Sequence, residues 1–194
     1  MRIILASASP RRRELLTLMG ITDFEIVPAS GEASPAPGTS PAETVKEISR
    51  CKALDVFTRN RDALVIAADT LVYLEGEPLG KPRDAEDAKN MLRRLSGRGH
   101  TVYTGVTVMS AAGVESECEA TDVFFRGMTD GEIDFYVASG EPLDKAGAYG
   151  AQGLGAAFVR RIEGDFFNVM GLPVQRLWLM LKNAGLDLTK AKGE

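Results

Sequence analysis

The sequence predicts a mixed α/β fold, with a twisted sheet flanked by helices, and three observations support this. Residues 3–6 form a short apolar run that stops just before a helix start signal. Residues 63–68 form a longer continuous apolar run, which is the pattern of a strand buried on both faces. Elsewhere, segments with helical periodicity alternate with β-rich segments. Strands outside the N-terminal half need not be parallel, and we expect two lobes with a cleft between them.

The size and charge of the chain limit the classes to which it can belong. Its 194 residues, 44% of them hydrophobic, suffice for one domain over 1–194, built as a single core or as two small lobes. A net charge of −4 argues against a general nucleic-acid binder. No apolar stretch approaches the length of a membrane span, and residues 3–6 are too short for a signal-peptide core. We therefore expect a cytoplasmic protein without a nucleic-acid or membrane partner.

The scarcity of cysteine and histidine limits the chemistry. Cys51 and Cys118 lie far apart and form no metal or redox motif, so we expect free thiols in a reducing compartment. The single histidine, His100, excludes a multi-histidine metal site. A Ser-His-Asp triad could use only His100, whose position before a β-rich run favours a structural role. Acid-base chemistry then falls to carboxylates.

The first predicted helix has an unusual charge distribution. Ser9 suits the N-cap, Pro10 the first helical position and Gly20 the helix end. Residues 11–13 are all arginine, and cations in a first turn oppose the helix dipole at about 0.3–1 kcal/mol each. Free N–H groups with added arginines suit an anion such as phosphate. The alternative is a solvated basic patch with Glu14 as a local partner.

A second helix, opened by a capping signal at Ser40, carries a lysine on an apolar stripe. Val45, Ile48, Lys52 and Val56 are spaced by three, four and four residues, so they share one face. Two interpretations of Lys52 stay open. The side chain could extend along apolar surface to the helix edge, or the stripe could border a site that contains an anion.

The apolar run 63–68 ends in Asp69 and Thr70, and the end of a buried strand is a common position for catalytic carboxylates in α/β proteins.

The stretch 141–155 is rich in glycine but is neither a P-loop nor a dinucleotide fingerprint. It could let backbone approach a ligand closely, or be a flexible connection. The other predicted elements are strands at 24–28, 101–109, 114–125 and 156–162, a hairpin at 71–79, and helices at 84–95, at 129–137 and from 171 to Gly185.

Several short segments together resemble the Maf (septum-formation) family of nucleoside triphosphate pyrophosphatases. They extend over nearly the whole chain in the order found in that family. The segments are LASASPRR at 5–12, AADT at 67–70, GKP at 80–82, LSG at 95–97, HTVYTGV at 100–106, DKAGAY at 144–149 and GLP at 171–173.

The resemblance implies an activity and a fold. The activity is hydrolysis of a nucleoside triphosphate to the monophosphate and pyrophosphate, with a divalent cation, Mg²⁺ or Mn²⁺. The fold is a two-lobed α/β architecture related to the inosine triphosphate pyrophosphatases. The resemblance also implies a house-cleaning role in nucleotide metabolism. The implied binding partners are the nucleoside triphosphate and a second copy of the chain, in a homodimer.

The resemblance also implies roles for individual residues. Asp69 matches the proton acceptor and is a candidate metal contact. The early acidic loop departs from the family, which often has paired acids there, whereas this chain has only Glu32 as a candidate second metal contact. The residues implied to set substrate choice are Arg11, Thr70 and Gln152, and those implied to hold the triphosphate are Ser7, Arg12, Lys52 and Lys81.

The stretch 148–153 resembles the branch of the family that acts on dTTP and UTP. The sister branch, which prefers 7-methyl-GTP, has a different pattern there. A third possibility is a non-catalytic protein that binds nucleotides and regulates septation. The presence of Asp69 together with the full set of cations favours an enzyme over a binding protein.

Overall fold

The computed structural model describes residues 1–30 and 38–189. In these ranges the strands are β1 (Arg2–Leu5), β2 (Glu25–Ile26), β3 (Ala63–Leu74), β4 (Glu77–Leu79), β5 (Gly99–Ser110), β6 (Gly113–Phe125) and β7 (Val159–Glu163). The helices are α1 (Pro10–Leu18), α2 (Pro41–Arg59), α3 (Ala85–Leu95), α4 (Asp130–Ala138), α5 (Phe166–Met170) and α6 (Val174–Asn183). No helix of the described ranges is long and apolar enough to cross a membrane.

The strands of the described residues form one mixed sheet. Its order is β2-β1-β3-β5-β6-β7, with β4 paired to β3. The N-terminal part is parallel, because β1 runs parallel to both β2 and β3. The later pairs β3–β4 and β6–β7 are antiparallel. The predicted mixed α/β class is therefore confirmed.

The chain divides into two compact units. Unit 1 consists of Met1–Asp69, Thr104–Glu119 and Gly171–Glu194, and unit 2 of Thr70–Tyr103 and Ala120–Met170. The chain passes from one unit to the other within β3, within β5 and within β6. The predicted cleft between two lobes stays a prediction.

In unit 1, α2 packs closely on the sheet. Its buried face consists of Val45, Ser49, Ala53, Val56 and Phe57. The predicted stripe was therefore only half right, because Ile48 and Lys52 lie at its half-buried edge. The close packing depends on Gly105 of β5, where an added Cβ would lie 2.1 Å from the Val45 carbonyl oxygen.

The core of unit 2 contains the single histidine. His100, the second residue of β5, is buried, and its Nε2 lies 2.7 Å from Tyr149 Oη. Its ring packs edge-on against Phe125 and Tyr149, with centroid separations of 5.0 and 5.2 Å. Burial lowers the pKa of His100 to about 4, although the negative charge of Asp122 opposes this. The predicted structural role for His100 agrees with these contacts.

The predicted elements were found with some differences. The strand that was expected to stop at Asp69 continues to Leu74, because β4 pairs with its second half. The predicted strand at 24–28 is only two residues long. The helix α5 was missed, since five residues are too few to show helical periodicity. The glycine-rich stretch forms 3₁₀ turns at Glu141–Asp144, Ala146–Ala148 and Gly153–Phe158.

Candidate active site

A carboxylate and a lysine form an ion pair in unit 1. Asp69 follows the fully buried first half of β3, and Lys52 Nζ of α2 donates to Asp69 Oδ1 at 2.5 Å. The side chain of Lys52 is 27% exposed and that of Asp69 is 16% exposed, so solvent screens this ion pair less than it screens a pair on the surface. The lysine on the apolar stripe is therefore explained by its partner. It neither extends freely into solvent nor lies on purely apolar surface.

Arg12 of α1 is fixed by two contacts in the same unit. Its Nε donates to the Gly171 carbonyl oxygen at 2.8 Å, and its Nη1 donates to Ser7 Oγ at 3.1 Å. Burial lowers the pKa of Arg12, Arg11 acts in the same direction, and the nearby charge of Asp69 opposes both. The guanidinium is thus held by the fold, unlike a solvated basic patch.

The start of α1 is shaped by Ser7 rather than by Ser9. Ser9 occupies the N-cap position, but its side chain makes no capping hydrogen bond. Instead, its main-chain N–H donates to Ser7 Oγ at 3.2 Å, and Ser7 is largely buried. The segment is fixed next to β3 by the parallel register of β1, because Ala6 N donates to the Ile66 carbonyl oxygen at 2.8 Å. The prediction that Ser9 is the N-cap residue is confirmed, but the capping hydrogen bond expected from its side chain is not formed.

The remaining predicted site residues lie in different surroundings. Arg11 and Thr70 are half-buried, in unit 1 and unit 2 respectively. Lys81 is exposed between β4 and α3, and the preceding Gly80 carbonyl accepts from Gly147 N at 3.0 Å. Gln152 is exposed in the glycine-rich stretch. Glu32 lies outside the described residues.

The structure thus brings four predicted residues together in unit 1 and leaves three in unit 2. The first group is Ser7, Arg12, Lys52 and Asp69, and the second is Thr70, Lys81 and Gln152. Sequence reasoning missed the Gly171 carbonyl as the partner of Arg12, although the GLP segment that contains it had been noted. It also missed Tyr136, and it missed that Glu141, the first residue of the glycine-rich stretch, contacts the later part of the same stretch.

The described residues offer limited metal-binding capacity of their own. They contain no group of three or more His, Cys, Asp or Glu side chains that could hold a metal ion. Mg²⁺ is commonly bound by one or two carboxylates together with substrate phosphates. A single carboxylate such as Asp69, next to cations that suit a phosphate, fits a cation that arrives with the triphosphate.

Comparison with known proteins gives consistent matches. The family model for Maf-like proteins matches residues 2–184. A dTTP/UTP pyrophosphatase of Aquifex aeolicus is 50% identical over 186 residues, 96% of this chain and 97% of that protein. One of Deinococcus radiodurans is 49% identical over 186 residues, 96% of this chain and 94% of that protein.

A solved structure supports the fold alone. A HAM1 protein from Coxiella burnetii is 14% identical, with a TM-score of 0.54, over 94% of this chain and 99% of that one. This likeness agrees with the predicted mixed α/β fold.

Proposed function

Since the chain belongs to the Maf family, we propose that it hydrolyses nucleoside triphosphates, preferably dTTP and UTP, to the monophosphate and pyrophosphate. The observation that supports this most directly is the half-buried Asp69 carboxylate, paired with Lys52 and close to the charge of Arg12. A carboxylate among cations suits attack of water on a phosphoanhydride. The names of relatives that are about 50% identical over nearly the full length support the substrate.

We assign Asp69 the role of the general base, which accepts a proton from the attacking water. Lys52 fixes Asp69 Oδ1, so Oδ2 is the oxygen that we assign to the water or to the cation. Attack at the α-phosphorus breaks the bond to the β-phosphate and shifts negative charge onto the departing pyrophosphate. Fixed cations that face this developing charge lower the barrier, because they need no reorganisation during the reaction.

On the family resemblance, we assign the triphosphate to Arg12, Lys52 and Lys81. Arg12 and Lys52, which interact with Asp69, would hold phosphate oxygens together with the free N–H groups at the start of α1. Asp69 and the triphosphate would together hold Mg²⁺ or Mn²⁺, which when bound neutralises phosphate charge. Glu32 is proposed as a further metal contact on the family resemblance alone. The cytoplasm as the location and a homodimer as the assembly also remain proposals.

On the family resemblance, we assign the choice of base to Gln152, together with Arg11 and Thr70. Uracil and thymine present an O4 acceptor next to an N3–H donor, and a carboxamide can pair with both. Cytosine inverts this pattern, and a freely rotating amide could match it as well. Selection of dTTP and UTP therefore requires that the orientation of the Gln152 amide be fixed.

The proposal is tested by measuring pyrophosphate release from dTTP, UTP, CTP, ATP and 7-methyl-GTP with Mg²⁺ or Mn²⁺. We expect dTTP and UTP to be hydrolysed with the highest kcat/KM. Preference for 7-methyl-GTP would assign the chain to the sister branch. Nucleotide binding without turnover would indicate a non-catalytic regulator.

A variant at Asp69 tests the assigned role of the carboxylate. We expect Asp69→Asn to reduce kcat by about 10²–10⁴-fold, the usual contribution of a general base, with little change in the melting temperature. Asp62→Asn is the matched control, because Asp62 also forms an ion pair in unit 1, with Arg2, yet is exposed. If Asp69→Asn retained most of its activity at saturating metal, the assignment would be wrong.

A further inference from the structure

The segment 150–155, which contains Gln152, is held at its C-terminal end by a single carboxylate. Leu154 N donates to Glu141 Oε2 at 2.9 Å, and Gly155 N donates to Glu141 Oε1 at 3.2 Å. Main-chain N–H groups that donate to an ionised carboxylate form stronger hydrogen bonds than neutral pairs do. This end of the glycine-rich stretch is therefore fixed, which argues against the flexible connection that was one of the two interpretations of its sequence.

The N-terminal end of the same segment is held by the partner of that carboxylate. Gly150 N donates to Tyr136 Oη at 3.1 Å, and Tyr136 Oη donates to Glu141 Oε1 at 2.9 Å. Both ends of the segment are thus fastened to one hydrogen-bonded pair, Tyr136 and Glu141. Gln152 lies between the two ends, with its side chain exposed.

Two glycines of the segment are required by this arrangement. At Gly153, where φ is +80°, an added Cβ would lie 2.6 Å from Glu141 Oε2. At Gly155 it would lie 2.4 Å from the Gly150 carbonyl oxygen and 2.6 Å from Tyr136 Oη. The glycines therefore allow the backbone to close around the pair, which is a different reason from flexibility.

The two anchoring side chains are themselves well fixed. Tyr136 is fully buried on α4, and its ring centroid lies 5.2 Å from that of Phe158. Lys145 Nζ donates to the Glu141 main-chain oxygen. Burial of the Glu141 carboxyl raises its pKa, but the donated hydrogen bonds and the charge of Lys145 outweigh this and lower the pKa below its usual value. The ionised carboxylate can then accept all three hydrogen bonds.

From this geometry we infer that Glu141 and Tyr136 are positioning residues that set the base preference through Gln152. The inference rests on the proposed function, in which the Gln152 amide contacts the base. The Gln152 amide turns about its own side-chain bonds, so the anchors act on the main chain around it. A main chain fastened at both ends holds the neighbouring main-chain groups in place, and these groups would keep the amide in the orientation that pairs with uracil rather than cytosine. Neither side chain is assigned a contact with the nucleotide.

The first test compares Glu141→Gln with Glu132→Gln. In Glu141→Gln an amide NH₂ replaces one of the two carboxylate oxygens, and an NH₂ group cannot accept the hydrogen bond that this oxygen accepts. One end of the segment 150–155 therefore loses its anchor. Glu132 is the matched control, because its carboxylate also accepts three hydrogen bonds in unit 2, from Arg126 and Thr129. We expect Glu141→Gln to lower the dTTP:CTP ratio of kcat/KM on the order of tenfold, and Glu132→Gln to leave it unchanged.

A second variant and a second measurement separate positioning from general destabilisation. Tyr136→Phe keeps the buried ring and removes only the hydroxyl, and we expect it to lower the same ratio. Amide hydrogen exchange of residues 150–155 is expected to become faster in Glu141→Gln and Tyr136→Phe, but not in Glu132→Gln. Unchanged exchange in both variants would overturn the inference.

The decisive comparison repeats Glu141→Gln in a Gln152→Ala background. A residue that acts through Gln152 has no further effect on the ratio once Gln152 is absent, whereas an independent effect adds. A full additional loss in the double variant would overturn the inference.

If the wild-type protein hydrolyses no triphosphate, the proposed function is wrong and the inference is wrong with it. If it prefers dTTP and Glu141→Gln keeps that preference, only the inference is wrong.

Discussion

At the residue scale, two of the three cations that were assigned to the phosphates, Arg12 and Lys81, differ in what they do for the fold. Arg12 donates to a main-chain oxygen from the other end of unit 1 and to a buried serine, so it links α1 to the chain before α6. Lys81 is exposed. The sequence predicted that both would matter more for the triphosphate than for folding, and the contacts of Arg12 indicate that it contributes to folding as well.

Alanine substitutions at these positions test the difference. We expect Lys81→Ala to weaken triphosphate handling by about 1.5–3 kcal/mol, the usual size of a charge-assisted hydrogen bond, with a stability change within about 0.5 kcal/mol. Arg12→Ala should reduce both activity and the melting temperature. Kinetics and thermal unfolding of both variants check this. Unchanged kinetics in Lys81→Ala would remove Lys81 from the site.

His100 provides a second prediction at this scale. In the described residues its Nδ1 has no hydrogen-bond partner, and burial lowers its pKa from 6.5 to about 4. The unfolded chain therefore binds a proton at higher pH than the folded protein does. The contribution of uncharged His100 to the free energy of unfolding is therefore complete above about pH 6.5. It is lost as the pH falls towards 4, and the total loss is about 3 kcal/mol.

Urea unfolding at several pH values between 7 and 5 measures this effect. We expect the free energy of unfolding to fall with pH in the wild-type protein and to fall less in His100→Gln. The range above pH 5 is chosen because carboxylates titrate below it. An equal pH dependence in the two proteins would contradict the assignment to His100.

At the element scale, the position of α2 depends on a missing side chain. Gly105 lies under the Val45 carbonyl, and α2 carries Lys52 towards Asp69. A buried hydrogen bond between two hydroxyl groups also joins α2 to β5, because Ser49 Oγ and Thr107 Oγ1 lie 2.8 Å apart. The ion pair of the candidate site therefore depends on how closely this helix approaches the sheet.

We expect Gly105→Ala to be strongly destabilising, since backbone rather than a flexible side chain blocks the added methyl. Gly131→Ala is the matched control. Gly131 lies in α4 with no atom within 4 Å of an added Cβ, so alanine should stabilise that helix by about 0.5–1 kcal/mol. Denaturant unfolding of both variants measures the difference. Equal stabilities would show that α2 can shift without loss.

At the scale of the whole molecule, the two units are not consecutive pieces of chain. The chain passes between them within three strands and again after Met170. A strand that belongs to both units cannot lose its hydrogen bonds in one unit without weakening those in the other. Neither unit corresponds to a segment that could be cut out intact.

We therefore expect both units to unfold in one cooperative transition. The single tryptophan, Trp178 of α6, reports on unit 1, and amide exchange within β7 and α4 reports on unit 2. The two probes should give the same denaturant midpoint. Two separate midpoints would show that the units unfold independently.

The class of fold and the most informative candidate residues could be predicted from the sequence alone. Local patterns were sufficient, because periodicity, caps and apolar runs act between near neighbours in the chain. They located β1, α1 and the carboxylate at Asp69, and they identified Lys52 as a lysine that needed a partner. The family resemblance supplied roles for residues such as Gln152 that periodicity could not assign.

Which of these residues contact one another could be learned only from the folded structure. Lys52 and Asp69 are 17 positions apart, and Arg12 and Gly171 are 159 apart, so their contacts depend on strand order and helix packing. The fixed state of segment 150–155 was hidden for the same reason. Its anchors lie in preceding elements, and a glycine-rich sequence looks the same whether its glycines serve flexibility or make room for a carboxylate.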